Sequence, residues 1–205
     1  MANVTAKMVK ELREMTGVGP LDCKNALVQF DGDMAKAADF LREKGLAKAA
    51  KKVGRATNEG IVYAYVHHND RLGVLVELNC ETDFVANTEQ FRNLAKDIAL
   101  QIANLGAQYL TREDVPSAIV DAERDLQRRR ALDEGKPENV VDKIVDGRMD
   151  KFYEELALLE QAFIKDDSMT IGEMITAAIA ELGENITVGR FSRIAVGEGG
   201  AEDEG

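Results

Sequence analysis

Gly73-Val74-Leu75-Val76-Glu77-Leu78-Asn79-Cys80-Glu81-Thr82-Asp83-Phe84-Val85-Ala86-Asn87 is the stretch on which the reading of this chain turns. Val74, Val76, Leu78 and Cys80 alternate with Leu75, Glu77 and Asn79, the period of a strand with one core face and one mixed face. The alternation stops at Glu81. A helix is expected from near Asn87, with Gln90 three residues on as a capping-box partner. Upstream, Ile61-Val62-Tyr63-Ala64-Tyr65-Val66 is rich in strand formers and Asn69-Asp70 supplies turn chemistry, so the two runs read as a hairpin. Downstream, Phe91, Leu94, Ala95, Ile98, Ile102 and Leu105 form the apolar stripe of a helix. Further helices are predicted at about 116–134, 137–160 and 171–182, with Pro116 and Pro137 where helix starts tolerate proline. A last strand over about 186–196 is placed to join the hairpin as its third strand.

The first 45 residues have a different rhythm. Thr5 is placed to cap a helix carrying Met8, Leu12 and Met15 on one stripe, which Thr16-Gly17-Val18-Gly19 ends. Pro20 suits the first turn of a second helix, with Cys23, Ala26, Leu27 and Phe30 at i, i+3, i+4 and i+7. Asp31-Gly32 turns the chain, Asp33 caps a third helix, and Met34, Ala37, Ala38 and Leu41 repeat the spacing up to Gly45. The expected architecture is α+β: a three-helix bundle over 1–45, a basic linker with some helical character over 46–59, and an α+β core over 60–196. In the core an antiparallel three-stranded sheet packs with helices. The Gly- and acid-rich tail, 197–205, is expected to be disordered.

Charge and composition limit the function. The net charge is −11 over 205 residues, which argues against a general nucleic-acid binder, because phosphate contacts need Lys and Arg. Residues 1–59 carry a balance of +3 and residues 60–205 a balance of −14, so a small basic module sits on an acidic body. The opening residues mix Lys7, Lys10, Glu11, Arg13 and Glu14 with apolar positions. That pattern predicts neither a signal peptide nor a membrane span, and a cytoplasmic location. Cys23 and Cys80 both fall in apolar patterns and read as small buried hydrophobes. The Arg128-Arg129-Arg130 run, among acids on a helix, reads as a solvated face.

Chemistry is sparse. No phosphate-binding GxxxxGK[ST] loop occurs, and Gly17 and Gly19 lack the third glycine and the preceding strand of a dinucleotide fingerprint. His67 and His68, read as neighbours on a strand, would point to opposite faces and could not share a metal. No cofactor, metal site or enzymatic activity is expected. Thr82-Asp83-Phe84-Val85 stands apart: two apolar residues beside an acid, at a loop or helix entry held by a scaffold. From the residues alone, Phe84 is either presented to a partner or folded inward as a plug or staple, and packing is the commoner fate of a loop Phe.

The residues in this region resemble those of the bacterial elongation factor Ts family, and the resemblance spans nearly the whole chain except the tail. Val9 to Gly19, continuing through Leu21-Asp22-Cys23-Lys24-Asn25-Ala26-Leu27, is similar to the family's N-terminal signature. Gly73 to Ala86 is similar to its core signature. Gly147-Arg148-Met149-Asp150-Lys151-Phe152-Tyr153 and Gly189-Arg190-Phe191 resemble its C-terminal portion. The resemblance implies that the bundle is ubiquitin-associated-like and that the chain exchanges guanine nucleotide on elongation factor Tu. Thr82, Asp83, Phe84 and Val85 would form the loop that displaces the partner's magnesium. Leu12, Arg13, Pro20 and Leu21 would lie at or near the docking contact. It further implies binding to both GDP-bound and nucleotide-free partner, and a homodimer formed by a short, single-core form. From the charge and the lack of a long apolar run, no direct contact with nucleic acid or membrane is expected. Two other readings fit parts of the chain: an adaptor for a ubiquitin-like protein built on the bundle, and an enzyme with scattered carboxylates.

Overall fold

The computed structural model describes residues 4–198. Helices α1 (Ala6–Thr16), α2 (Pro20–Gln29) and α3 (Met34–Ala50) form the N-terminal bundle. Thr5 accepts the Met8 amide and Asp33 accepts the Lys36 amide, each satisfying an otherwise orphan donor at a helix start. Gly17 ends α1 in the left-handed region, at φ 67°, a conformation that costs glycine nothing. Leu12, Cys23, Ala26, Leu27, Ala37 and Leu41 make the small bundle core. Met15, expected on the buried stripe, is instead exposed.

The third helix does not stop at Gly45. It runs on to Ala50, so residues 46–50 are helical. A Cβ at Gly45 would sit 3.3 Å from the Ala180 side chain. The missing side chain lets a neighbouring helix approach, which offsets the modest cost of an interior glycine. Ala49, one turn further on, is fully buried in the main core rather than the bundle core. The bundle is thus tied to the body through the end of α3.

Lys44 donates to Asp22 at 3.1 Å and Lys48 lies 3.9 Å from the same carboxylate, joining α2 to α3. The Lys44 hydrogen bond, then its charge, hold the Asp22 carboxyl below its ordinary value. A carboxyl depressed in the folded state stabilises above its unfolded value and loses that contribution as pH falls through the folded one. Both partners are solvated, so the pair contributes about 0.2–1 kcal/mol. Asp22→Asn is therefore expected to reduce stability by that small amount at about pH 7 and by nothing at about pH 2. Paired thermal melts at the two pH values check it.

Strand β1 (Glu59–Val66) pairs antiparallel with β2 (Leu72–Cys80), and β2 with β5 (Ile186–Ala195), in the order β1-β2-β5. Asp70 takes φ 56° in the β1–β2 turn, where the Arg71 amide donates to the Asn69 side chain. Val74, Val76, Leu78 and Cys80 are all buried, as their alternation predicts. His67 and His68 lie in the turn after β1, not on the strand, and their rings are 4.2 Å apart. The opposite-face argument therefore does not apply to them. Among the described residues, no group of three or more His, Cys, Asp or Glu is placed to hold a metal.

A one-turn helix α4 (Asp83–Ala86) precedes α5 (Glu89–Leu105). The cap of α5 is Thr88, whose hydroxyl accepts the Phe91 amide, and not Asn87 with Gln90. Asn87 closes α4 instead, donating to the Asp83 carbonyl at 2.9 Å. Phe91, Leu94, Ala95, Ile98 and Ile102 pack on the sheet, while Leu105, the last residue of the helix, is exposed. Helices α6 (Ser117–Asp133) and α7 (Glu138–Leu156) form a hairpin with its own small core of Ala131, Val141, Val145 and Met149. Arg124–Asp146 at 2.8 Å and Arg148–Glu134 at 2.7 Å bridge the two helices, as does Arg128–Asp142.

The chain leaves α7 at Leu156 rather than near 160, because the Leu158 amide turns to the Tyr109 carbonyl. Two short strands, β3 (Ala162–Phe163) and β4 (Asp166–Thr170), follow and were not expected. Buried Gln101 holds them. It donates to the Gln161 side chain and the Ala162 carbonyl, and accepts the Ile164 amide. Helix α8 (Ile171–Leu182), opened by a Thr170–Glu173 capping box, leads into β5. No described helix is long and apolar enough to cross a membrane. The proposed disorder of 197–205 falls, from residue 199 on, outside the described residues.

Candidate functional site

Strand β2 ends at Cys80 and the backbone must leave the sheet without stranding its polar groups. Glu184, in the turn between α8 and β5, meets that need. One of its carboxylate oxygens accepts the Glu81 amide at 3.1 Å and the Thr82 amide at 3.0 Å, and the other accepts the Thr82 hydroxyl at 2.7 Å. The Glu81 carboxylate in turn accepts the Asn185 amide at 2.7 Å. The Cys80 thiol donates to the Thr82 carbonyl at 3.1 Å, and burial, then the nearby Glu184 charge, push this thiol up. Thr82 then caps α4, accepting the Val85 amide, while Ala86 is buried against the sheet.

The result is a rigid stem with an apolar tip. Phe84 is 81% exposed. The inward plug is therefore not what the chain adopts. Asp83 is exposed beside it, at the start of α4 where an acid is favoured, and Val85 is half-buried. The four residues singled out from sequence thus divide. Thr82 and Val85 anchor the turn, and Asp83 and Phe84 face solvent.

The bundle residues divide too. Arg13, Pro20 and Leu21 are exposed, Leu21 at 71%. Leu12 is 0% exposed in the bundle core, so its side chain is not presented on the surface with the other three. Glu184 and Asn185 are the functional candidates that sequence reasoning missed. They lie more than 100 residues from the loop they hold, and Gly183-Glu184-Asn185 before a strand reads locally as turn chemistry alone.

A small helical module with exposed apolar and basic side chains, and a clamped turn that holds one aromatic in water, are features suited to contact with a macromolecular partner. The family model for elongation factor TS matches residues 2–198. The chain is 56% identical over 196 residues to "Elongation factor Ts" of Caldanaerobacter subterraneus subsp. tengcongensis, covering 96% of this chain and 98% of that one. It is 57% identical over 196 residues to the protein of the same name from Thermoanaerobacter sp., covering 96% of each. The Carboxydothermus hydrogenoformans protein of that name is 55% identical over 201 residues, covering 98% and 93%. The chain belongs to the elongation factor Ts family.

Proposed function

We propose that this chain releases GDP from elongation factor Tu by pressing Phe84 against the partner's magnesium and phosphate site while the N-terminal bundle holds the complex together. Nucleotide exchange on elongation factor Tu is the activity of the family. The observation that carries the mechanism is the exposure of Phe84 at the tip of a turn clamped on its inner side. An aromatic kept in water costs free energy, so its worth lies in what it meets. A GTPase retains its nucleotide through a phosphate-cradling loop and magnesium. Magnesium demands near-octahedral geometry, so a modest displacement of its surroundings weakens it. Thr82 and Val85 fix the turn, and Asp83 stands beside the wedge. No covalent bond is made or broken, and the exchange takes place in the cytoplasm with the rest of translation.

Linkage sets the energetics. A factor that weakens GDP binding is itself weakened by GDP in the same ratio. A thousandfold effect needs about 4 kcal/mol, and burying one Phe contributes about 1.5–3 kcal/mol before ordering costs. Phe84 alone does not suffice. Arg13, Pro20 and Leu21 on the bundle, with Leu12 packed beneath, supply docking energy to GDP-bound and nucleotide-free partner alike.

The same reading includes a homodimer. The sheet face turned away from the core exposes Val62, Val66, Leu75 and Ile194 around the Glu77–Arg190 ion pair at 2.8 Å. These positions alternate with the buried ones, so they share one sheet face, apolar around a central ion pair, that a second copy can cover. Wild-type chain is expected to sediment as a dimer at micromolar concentration, and Leu75→Glu with Ile194→Glu as a folded monomer. A wild-type monomer under those conditions contradicts the pairing.

A further inference from the structure

The exchange loop has an ordering problem. Helix α4 is a single turn, and one-turn helices do not persist alone in water. Phe84 contributes little packing, because it faces solvent. Order comes from Ala86, seated on the sheet, and from the stem, and on the stem one side chain dominates. Glu184 accepts from the Glu81 amide, the Thr82 amide and the Thr82 hydroxyl, three hydrogen bonds to an ionised acceptor, which are stronger than neutral ones.

The turn that carries Glu184 is itself braced from the other side. The buried Asn185 side chain donates to the Arg55 carbonyl at 2.8 Å, and the Thr57 and Thr187 hydroxyls meet at 2.9 Å. Lys52 donates to the Gly183 carbonyl. Residues 183–187 therefore grip the chain that descends from the bundle and the chain that forms the loop. Helix α8, directly before them, abuts the bundle where Ala180 meets Gly45.

We infer that Glu184 is the positioning residue for exchange, holding the Thr82–Val85 turn so that Phe84 reaches the partner already oriented. This rests on the loop reading given above. Pre-organisation removes an ordering cost that would otherwise fall on the step in which Phe84 engages. That cost would appear in the saturating rate and not in docking, which the bundle supplies.

The test is stopped-flow release of fluorescent GDP from elongation factor Tu across a range of factor concentrations. It uses wild type, Glu184→Gln, Phe84→Ala and the double variant, each checked by thermal melting. Glu184→Gln is expected to lower the saturating release rate roughly tenfold, from loss of charge-assisted bonds, with half-saturation within about twofold. In the Phe84→Ala background it should add less than about a twofold loss, because an unarmed loop gains nothing from being oriented. Wild-type behaviour of Glu184→Gln beside a slow Phe84→Ala overturns the inference and leaves the loop reading standing. A full tenfold loss in the Phe84→Ala background shows that Glu184 acts elsewhere, and also overturns it. An unimpaired Phe84→Ala removes the loop reading and this inference together. Should Glu184→Gln fail to fold, Glu184→Asp keeps the charge but withdraws the carboxylate from the Glu81 and Thr82 amides and the Thr82 hydroxyl. A loss of roughly threefold that vanishes with Phe84→Ala supports the role, and a wild-type rate denies it.

Discussion

Phe84→Ala should slow the saturating rate of GDP release from elongation factor Tu by about 10- to 100-fold, the equivalent of the roughly 1.5–3 kcal/mol that burying a Phe contributes. Stability should hardly change, because the side chain is 81% exposed and leaves no cavity behind. Half-saturation should stay near wild type, since docking elsewhere survives. That combination separates a wedge from a core residue. A buried plug would lower the melting temperature and release rate together, whereas a wedge lowers the rate alone. Equal release rates for wild type and variant would end the assignment of Phe84.

The second large effect lies on the bundle and has the opposite kinetic form. Arg13→Glu combined with Leu21→Ser should raise the half-saturating concentration by tenfold or more, about 1.4 kcal/mol or above, as truncation of a docking anchor does. The saturating rate should be retained, because the loop that acts is untouched. Both side chains are exposed, so the fold tolerates the change. Leu12→Ala is not an equivalent test. Leu12 fills the bundle core, and its loss would act through a cavity costing about 2–5 kcal/mol. Unchanged half-saturation in the double variant would place docking somewhere other than this face.

Much of this was legible in the chain itself, and the pattern of misses has physical causes. The bundle and the sheet could be read because one periodicity governs each element. Cys23, Ala26 and Leu27 are buried at helical spacing, and Val74, Val76, Leu78 and Cys80 at strand spacing. Thr5, Pro20 and Asp33 sit at the helix starts they predicted. Element ends depended on partners distant in sequence. Gly45 looks like a terminus until Ala180 is placed against it. The β3–β4 pair has no alternation, because the buried Gln101 organises it rather than a hydrophobic face.

The site divides in the same way. The Thr82–Val85 stretch was visible as an apolar interruption between a strand and a helix, yet its residues alone could not say which way Phe84 points. The direction is set by Glu184, which pulls the stem inward from 100 residues away, and by Ala86, the small buried residue that seats α4 on the sheet. Leu12 shows the converse. The family resemblance grouped it with Arg13, Pro20 and Leu21 as expected docking residues, but helical geometry turns it into the bundle while Arg13 turns outward.

On the proposed mechanism, this chain makes elongation factor Tu release its nucleotide by contact alone. The direct measurement is the rate at which fluorescent GDP leaves purified elongation factor Tu when the intact chain is added with excess unlabelled nucleotide. The release rate should climb with chain concentration, saturate, and exceed the spontaneous rate by orders of magnitude. A release rate that stays at the spontaneous value at every concentration of the chain would rule the mechanism out.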